Sequence, residues 1–448
     1  MATPNPVKSG VAMLTQEQKT ILGKLGYYIS FLAVALPSRS VPTFCELLVA
    51  SMITAEGFVI QSWFQGRLHN FWGSYHKWLE TGRWRSYQIV ARFMQLCCLA
   101  IPETQPLFLV IDDTLVLRFS EKAPGSGIAF EHAHKLNQAS YVLGQCFVYL
   151  TMIQRRPTDE VPTSIPCLAR MPSETGNTSK LFTAKALLRF THAVIGERFT
   201  YVLLDSWFMR GHVIEHAKKL GYHAIGQVRH DLALYLPPLP EPKRRGAPRI
   251  YGEKLTNERV QQLSEHKIKM HLYGRIRTVH YRSCRCRARI LKGQEVIAVW
   301  TEFEHKGKRR KTRLILSTDT TLDAVTILRH YALRWPIEPG FNQIKNLFGA
   351  GQLWQRKRET LYRWLNIRLM AYGLLQLLTV RAGKLARATV NQPWRSKDVI
   401  TAGMLRTGLK EMLSELNVRS CCDGKSEIFQ FPDIENIPES ESSMPKAA

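Results

Sequence analysis

The chain has 448 residues, which is long enough for two or three domains with a sizeable core. Hydrophobic residues make up 45% of it, which excludes a mainly disordered basic tail. Its 62 Lys and Arg residues against 36 Asp and Glu give a formal charge of +26, which favours a polyanionic partner, either nucleic acid or an acidic membrane surface.

Membrane anchoring and secretion are not expected from the sequence. No uninterrupted apolar run reaches 18 residues, and the closest stretch, Tyr141 to Ile153, contains Gly144 and Gln145. Residues 1–10 lack a charged segment followed by an apolar one, so we expect no secretory signal. The nine cysteines form no CxxC pair, which favours reduced thiols over a zinc site or a disulfide framework. We therefore expect a cytoplasmic protein whose partner is nucleic acid.

Residues 14–101 are predicted to be helical. Thr15 and Gln18 have capping-box spacing ahead of an apolar-periodic run, and Thr43 and Glu46 have the same spacing at the next helix. Aromatic and basic residues then alternate: Trp63, Phe64, Arg67, His69, Phe71, Trp72, Tyr75, His76, Lys77, Trp78, Arg83, Trp84 and Arg85. Such interleaving is typical of a surface that grips DNA, but aromatic core residues beside a solvated charged face would give the same pattern.

From about residue 106, short apolar runs alternate with helical patterns, which predicts an α/β layer around a central sheet. The run 107–111 leads into Asp112 and Asp113, and the run 199–204 leads into Asp205. Both runs are predicted to be buried strands with an acid at the end. The other predicted elements here are strands at 146–153 and 224–228 and helices at 180–194 and 212–220.

Residues 229–312 are predicted to form a basic, β-rich insertion. They carry 21 Lys and Arg against eight Asp and Glu, which is half of the chain's excess positive charge. The two basic clusters are Lys243, Arg244, Arg245 and Arg249, and Lys306, Lys308, Arg309, Arg310 and Lys311. A single cluster is usually a solvated loop, but this concentration favours contact with a phosphate backbone.

After the insertion, a strand at 314–316 precedes a helical pattern over 323–352 and an amphipathic helix over 361–381. At 100° per residue, four residues of the first pattern fall at about 0°, 300°, 340° and 320° and share one face: Tyr331, Arg334, Glu338 and Lys345. A carboxylate flanked by cations suits a metal ligand beside phosphate-binding groups. An ordinary surface ion-pair face has this composition too.

Asp112 and Asp205 indicate a possible cation site. A carboxylate at the end of a buried strand is costly unless it is paired, hydrogen-bonded or bound to metal. Two acids on separate strands of one sheet can converge on a shared hard cation, which needs oxygen ligands. Two such cations about 3.5–4 Å apart stabilise the attacking and leaving oxygens of an in-line displacement. Asp113 competes with Asp112, because side chains alternate on a strand and only one can point at the metal.

These motifs together resemble a known family. The spacing Tyr331-x2-Arg334-x3-Glu338-x6-Lys345 is similar to the signature of bacterial insertion-sequence transposases of the DDE class, and the intervening sequence YALRWPIE agrees. VIDDT at 110–114 resembles the first motif of that group, and VLLDS at 202–206 resembles the second. The resemblance covers roughly residues 105–380, and the gaps of 93 and 133 residues between the acids suit it.

The resemblance implies an α/β fold with an RNase H-like catalytic core. It implies that Asp112, Asp205 and Glu338 are the catalytic metal ligands for two Mg²⁺ or Mn²⁺ ions per active site. Asp112 is preferred to Asp113 because the family motif places the ligand two residues before the threonine. The predicted DNA contacts are Tyr331, Arg334, Lys345, Arg313, Lys243, Arg244, Arg245, Lys308, Arg309 and Arg310. The implied activity is cleavage at element ends and strand transfer into target DNA.

The implied setting is a bacterial cytoplasmic protein associated with the nucleoid. Family members usually act as a dimer on paired transposon ends, so the expected partners are terminal inverted repeats, target DNA and a second copy in a synaptic complex. Two rival hypotheses are a transposase-derived DNA-binding protein without catalysis and a structure-selective nuclease that cuts but never joins.

Two features of the sequence depart from the family pattern. Arg313 stands where several members place a Trp that stacks on a flipped base, and Trp300 is a possible substitute, although a core Trp also fits. Pro339 and Gly340 follow Glu338 directly, so the helix can restart near residues 335–336, because proline is tolerated only in a first turn. Tyr331 and Arg334 would then lie on a preceding helix.

A further cluster of titratable residues has no recognised metal-ligand spacing and suits an exposed turn better than a second metal site: Glu131, His132, His134 and Lys135. The predicted organisation is a helical DNA-binding domain (1–104), a core in two parts (105–228 and 313–385) around the insertion (229–312), a helical segment (386–425) and a disordered acidic tail (426–448).

Overall fold

The structure is a computed structural model that describes residues 14–99, 101–118, 120–131, 139–155, 162–173, 177–240, 247–272, 275–305, 308–309, 312–388, 390, 400–413, 416–422 and 428–439. Its helices are α1 (Gln16–Ala33), α2 (Val41–Ile53), α3 (Val59–Gln65), α4 (Trp72–Thr81), α5 (Ser86–Leu99), α6 (Asn177–Ile195), α7 (Gly211–Lys219), α8 (Asn257–Gln261), α9 (Ala324–Ala332), α10 (Ile337–Asn346), α11 (Arg358–Arg381), α12 (Gly383–Ala388) and α13 (Ala402–Leu413). Its strands are β1 (Leu107–Leu117), β2 (Ser126–Phe130), β3 (Tyr141–Gln154), β4 (Thr163–Arg170), β5 (Thr200–Leu204), β6 (His223–Val228), β7 (Leu234–Tyr235), β8 (His266–Leu272), β9 (Arg275–Ala288), β10 (Gln294–His305), β11 (Lys308–Arg309) and β12 (Arg313–Ser317).

The first two helices begin differently. At α1 the Thr15 and Gln18 side chains form the predicted capping box. The capping box predicted at α2 is wrong, because that helix begins two residues earlier, at Val41. Glu46 is buried there, and its carboxylate accepts hydrogen bonds from the Tyr75 hydroxyl (2.9 Å) and the His69 backbone N–H (3.0 Å).

The aromatic residues of α3 to α5 divide between core and surface. Tyr75 and Trp84 are buried, and the Trp84 ring stacks on Trp78 with centroids 4.4 Å apart. Phe64 and Phe71 are exposed, with 72% and 67% of their surface accessible. Trp72 is exposed as well, at 38%, and so are the basic residues Arg67, His69, Lys77, Arg83 and Arg85. The segment therefore combines some core aromatics with an exposed basic surface, and contact of that surface with DNA stays a prediction.

One end of the central sheet has five strands in the order β4, β3, β1, β5, β6. β4, β3 and β1 are antiparallel, whereas β1, β5 and β6 are parallel. Three antiparallel strands followed by two parallel ones, with helices on the faces, is the RNase H-like arrangement. The predicted α/β fold class with this core is confirmed.

The insertion extends the same sheet instead of forming a separate layer. β12 pairs with β6, β10 with β12 and β9 with β10, all antiparallel. β7 and β8 pair with β9, and β11 pairs with β10, which completes a 12-stranded sheet. The basic strands are thereby fixed relative to the core through continuous backbone hydrogen bonds.

Helix α11 is the centre of the helical layer. Its residues from Thr360 to Val380 are buried except Arg363, and it packs against β4 on one side and against α2, α5 and α13 on others. Arg368 within it is fully buried and donates to the backbone carbonyl oxygens of Phe348 (2.7 Å) and Thr54 (2.9 Å). Helices from both ends of the sequence therefore share one core, whereas the sequence predicts an independent domain over 1–104.

Residues 428–439 pack on α1, so the predicted disorder of 426–448 is wrong for this stretch. Phe429 and Phe431 are buried, and the Ser30 hydroxyl donates to the Phe429 carbonyl oxygen (2.8 Å). Gly23 of α1 permits the close approach, because a Cβ there would lie 2.5 Å from the Glu435 carbonyl oxygen. Apolar residues within an acidic segment explain the order, since they supply the buried surface that a purely charged tail lacks.

In the part of the chain that the structure describes, no helix is both long enough and apolar enough to cross a bilayer.

Candidate active site

Asp112 and Asp205 are brought together by the parallel pairing of β1 and β5. The last paired residues are Ile111 and Leu204, so each acid is the next residue on its own strand. β1 itself continues to Leu117, because its pairing with β3 extends beyond the acids. Asp112 therefore lies within a strand, not at its end as predicted, while Asp205 follows β5 directly as predicted.

Asp112 and Asp113 point to opposite faces of the sheet. Asp112 accepts a hydrogen bond from Arg334 (2.7 Å), on the side where α10 packs. Asp113 is ion-paired with Lys180 of α6 (2.8 Å) and accepts a hydrogen bond from the Cys146 thiol (3.4 Å). The alternation of a strand thus separates the two acids, and only Asp112 faces Arg334.

Glu338 lies in the first turn of α10, after a break in the helical pattern. α9 ends at Ala332 and α10 begins at Ile337, so the single helix predicted over 323–352 is wrong and the restart near Pro336 is the correct alternative. The connecting backbone keeps i to i−3 hydrogen bonds, including Ile337 N–H to Arg334 and Glu338 N–H to Trp335. This 3-10 geometry keeps Arg334 and Glu338 on adjacent turns despite the break.

Arg334 joins two of the three predicted acids. One terminal nitrogen of its guanidinium donates to Asp112 (2.7 Å) and the other to Glu338 (2.8 Å). Both Arg334 and Asp112 are largely buried, whereas the Glu338 side chain is 45% exposed. Tyr331 is buried beside them, and Lys345 donates to the Thr114 hydroxyl of β1 (2.9 Å). Two of the four residues of the predicted helix face, Arg334 and Lys345, therefore contact β1.

Burial and like charge perturb the two aspartates. Burial, with the nearby Asp205 carboxylate as the second cause, raises the pKa of Asp112 to about 7. Burial also raises the pKa of Asp205, although backbone N–H groups of Phe208 and Trp207 donate to its carboxylate (3.0 Å each) and limit the rise. The single positive charge of the Arg334 guanidinium therefore does not neutralise the negative charge of these carboxylates.

A cavity of about 1300 Å³ opens beside the acids, between the core and the insertion. Asp205, Glu338 and Arg334 line one side of it. The other side carries four arginines, from the end of β6, from β9 and from β12: Arg229, Arg275, Arg277 and Arg313. Phe303 of β10 lies between two of them, with the guanidinium carbons of Arg277 and Arg313 each 5.8 Å from its ring centroid.

Of the predicted DNA contacts, Arg313 on β12 lines this cavity, as do Tyr331 and Arg334. Lys308 and Arg309 are exposed on β11, where Arg309 is ion-paired with Glu265 (2.8 Å). Several predicted residues lie outside the described residues: Lys243, Arg244, Arg245 and Arg310 of the DNA contacts, and His132, His134 and Lys135 of the titratable cluster.

Three cavity arginines were not predicted from the sequence: Arg229, Arg275 and Arg277. The alternation of Arg275 and Arg277 on β9 was a usable signal, because residues two apart share a strand face. Trp300, the suggested stacking residue, is not among the residues that line the cavity, and Phe303 supplies an aromatic ring there instead.

The chemistry of the acids fits hard divalent cations. Asp112, Asp205 and Glu338 offer only oxygen ligands, which Mg²⁺ and Mn²⁺ prefer. Among the described residues, no three His, Cys, Asp or Glu side chains form a ready-made metal-binding group. A cation, the Arg334 guanidinium, lies between the Asp112 and Glu338 carboxylates. The raised pKa of Asp112 shows that further positive charge would be favourable here.

The chain is similar to a known family over part of its length. Residues 71–288 match the DDE superfamily endonuclease family. The match covers just under half of the chain, includes Asp112 and Asp205, and ends before Glu338. It runs from α4 to β9.

A structural comparison gives a weaker likeness. The cryo-EM structure of a piggyBac transposase synaptic complex with hairpin DNA shares 10% sequence identity with this chain at a TM-score of 0.37. The alignment covers 88% of this chain and 77% of that one. No curated protein sequence matches.

Proposed function

We propose that this protein is a DNA transposase that cleaves phosphodiester bonds at the ends of an element and joins them to target DNA. Asp112, Asp205 and Glu338 hold two divalent metal ions, Mg²⁺ or Mn²⁺. Two copies act together on paired terminal inverted repeats. The observation that carries the proposal is that Arg334 bridges Asp112 and Glu338, while Asp205, Glu338 and Arg334 line an arginine-rich cavity.

The cavity accounts for how a DNA strand reaches the acids. Arg275, Arg277 and Arg313 present positive charge on the side facing Asp205 and Glu338. When a strand enters the cavity, the guanidinium groups neutralise its phosphates and displace their counterions. The release of these counterions makes binding more favourable at low salt. A phosphodiester held between the arginines and the acids lies where it can react.

The protein residues contribute position and charge. Bound at the acids, the divalent ions would activate the attacking oxygen and neutralise charge on the leaving oxygen. Asp112 and Asp205 are fixed by β1 and β5, and Glu338 is fixed by the packing of α10 on the sheet. Holding these groups at fixed positions avoids reorganisation during the reaction.

Substitution of the acids tests the proposal. Asp112→Asn, Asp205→Asn and Glu338→Gln should each abolish Mg²⁺-dependent cleavage of a labelled duplex taken from the DNA that flanks the gene. Binding of that duplex should persist, because the cavity arginines remain. Cleavage and joining are read on denaturing gels, with a target plasmid present for the joining step.

Asp113→Asn is the matched control. It removes the same charge one residue away, on the face where Asp113 contacts Lys180. This variant should keep cleavage. If Asp113→Asn loses cleavage, Asp112 can no longer be assigned as the ligand in preference to Asp113. Duplex binding without cleavage in the wild type would favour the non-catalytic DNA-binding protein, and cleavage without joining would favour the nuclease.

A further inference from the structure

Arg334 contacts two of the proposed metal ligands and also lines the proposed DNA-binding cavity. Its two terminal nitrogens donate to Asp112 and Glu338, the two acids that come from different elements, β1 and α10. These carboxylate oxygens belong to the proposed metal ligands. The same side chain also lines the arginine-rich cavity, so it faces the proposed DNA site.

The guanidinium competes with divalent ions for these carboxylates. It bonds to them through charge-assisted hydrogen bonds of 2.7 and 2.8 Å from a largely buried position. Such bonds are stronger than neutral ones, and an oxygen that accepts them is less available to a metal. A metal ion at Asp112 and Glu338 therefore requires Arg334 to leave at least one of them.

A phosphate in the cavity offers Arg334 another partner. Guanidinium groups bind phosphate in the same bidentate geometry as carboxylate. A strand bound beside Asp205 and Glu338 places a phosphate near Arg334. When the Arg334 guanidinium moves from the carboxylates to that phosphate, the acids become available to a metal ion.

We infer that Arg334 exchanges between the acids and a DNA phosphate, so that DNA binding and divalent metal binding favour each other. This inference rests on the proposed function. In the free protein Arg334 neutralises Asp112 and Glu338 and keeps metal affinity low. In the complex it neutralises the substrate and leaves the acids to the metal. Because coupling between two ligands is reciprocal, metal also strengthens DNA binding by the same factor.

Mn²⁺ binding to the full chain, measured by electron paramagnetic resonance without any activity assay, tests the inference. Arg334→Gln should bind Mn²⁺ about fivefold or more tightly than the wild type in the absence of DNA. Arg313→Gln removes the same charge from the cavity without a bond to either acid, and it should change Mn²⁺ affinity less than about twofold. Equal effects of the two variants would overturn the inference, because general electrostatics would then explain both.

The DNA arm of the experiment measures the coupling. Addition of the flanking duplex should tighten Mn²⁺ binding in the wild type by a larger factor than in Arg334→Gln. Arg334→Lys retains the charge but not the planar fork, so it should give an intermediate factor. A wild-type Mn²⁺ affinity that does not respond to DNA would also overturn the inference.

Asp205→Asn separates failure of the inference from failure of the proposed function. The Asp205 carboxylate accepts its hydrogen bonds from the backbone N–H groups of Trp207 and Phe208, yet it is a proposed ligand. If Asp205→Asn binds Mn²⁺ as tightly as the wild type, the metal site itself is wrong. If Asp205→Asn loses Mn²⁺ while Arg334→Gln does not gain it, only the exchange of Arg334 is wrong. Thermal unfolding of each variant confirms that the comparison is between folded proteins.

Discussion

The buried charged side chains of this chain are held by different kinds of partner. Arg368 donates to backbone carbonyl oxygens of Phe348 and Thr54, and burial lowers the pKa of its guanidinium to about 9. Glu439 instead lies between cations, 2.9 Å from Arg381 and 3.9 Å from Lys24. Arg368 is held by hydrogen bonds to backbone carbonyl oxygens, whereas Glu439 is held by cations that attract its ionised form.

The ionisation of Glu439 predicts a pH-dependent contribution to stability. Burial opposes ionisation, but Arg381 and the hydrogen bond from Tyr28 outweigh it and lower the pKa of Glu439 below its ordinary value of 4.5. A carboxyl with a lowered folded-state pKa stabilises the protein above its unfolded pKa and loses that effect as pH falls through the folded pKa. Glu439→Gln should cost about 2 kcal/mol at pH 7 in urea unfolding, and the difference should shrink below about pH 4.

Glu435→Gln is the control for this experiment. It removes the same charge from the same segment, but Glu435 is exposed, so the cost should stay within about 0.5 kcal/mol at every pH. A difference between wild type and Glu439→Gln that stays the same as the pH falls from 7 to about 2 would contradict the role given to the ionised carboxylate.

Single residues were predictable from the sequence where a local rule applied. Strand alternation required Asp112 and Asp113 to face opposite sides, and the family motif selected Asp112, which does face Arg334. The role of Arg277 was not predictable in the same way. Its position beside Phe303 depends on the register of β9 against β10, in which Phe303 pairs with Val279.

At the scale of elements, the approach of α10 to β4 decides where Glu338 lies. Gly340, two residues after it, is buried against Ser164, whose hydroxyl donates to the Pro336 carbonyl oxygen (2.9 Å). A Cβ at position 340 would lie 2.8 Å from that hydroxyl oxygen. The Pro339-Gly340 pair that looked unusual in the sequence thus has a physical reason. Proline fits the first turn, and glycine permits close packing.

A double-mutant cycle at Gly340 and Ser164 tests this contact. Gly340→Ala gains helix propensity of about 1 kcal/mol, but in the wild type the new methyl group displaces the Ser164 hydroxyl. In the Ser164→Ala background the obstruction is absent, so Gly340→Ala should be stabilising there. The two substitutions should couple by about 1 kcal/mol in urea unfolding. Additivity within about 0.3 kcal/mol would show that the helix is not held at this distance.

The break between α9 and α10 shows what a periodicity argument can establish. The face shared by Tyr331, Arg334, Glu338 and Lys345 was derived for one continuous helix, and the structure has two. Arg334 and Lys345 still both reach β1, and Arg334 still contacts Glu338, because the short connection between the helices keeps i to i−3 hydrogen bonds. The prolines at 336 and 339 were the visible signal for the restart, but the geometry of the turn depends on tertiary packing that the sequence does not display.

At the scale of the whole molecule, the segments predicted as separate along the chain are continuous in space. The insertion continues the core sheet through β12 and β6, and helices α1 to α5 surround α11. The sequence predicted the helical and β-rich character of these segments correctly. It could not show which faces meet, because the contacts join residues about 300 positions apart, as Arg368 and Thr54 do.

This arrangement predicts that residues 1–104 do not fold alone. Helix α2 is buried along almost its whole length, from Val41 to Ile53, and part of that surface lies against α11 and α13. Without those helices, apolar surface is exposed and the carbonyl oxygen of Thr54 loses the Arg368 guanidinium. A purified 1–104 fragment should show no cooperative urea transition by far-ultraviolet circular dichroism.

A cut chain supplies the matched control. Insertion of a protease site at Glu103 and Thr104, in the exposed turn between α5 and β1, leaves every helix docked before cleavage. After cleavage the two pieces should elute together and unfold in one transition, because the contacts of α2 with α11 and α13 survive the cut. A cooperative transition of the isolated fragment, with the cut pieces separating on a column, would instead establish 1–104 as an independent domain. Unfolding of the cut pieces in one transition would mean that contacts with α11 and α13 stabilise α2. Cooperative unfolding of the isolated fragment would mean that contacts within residues 1–104 are sufficient.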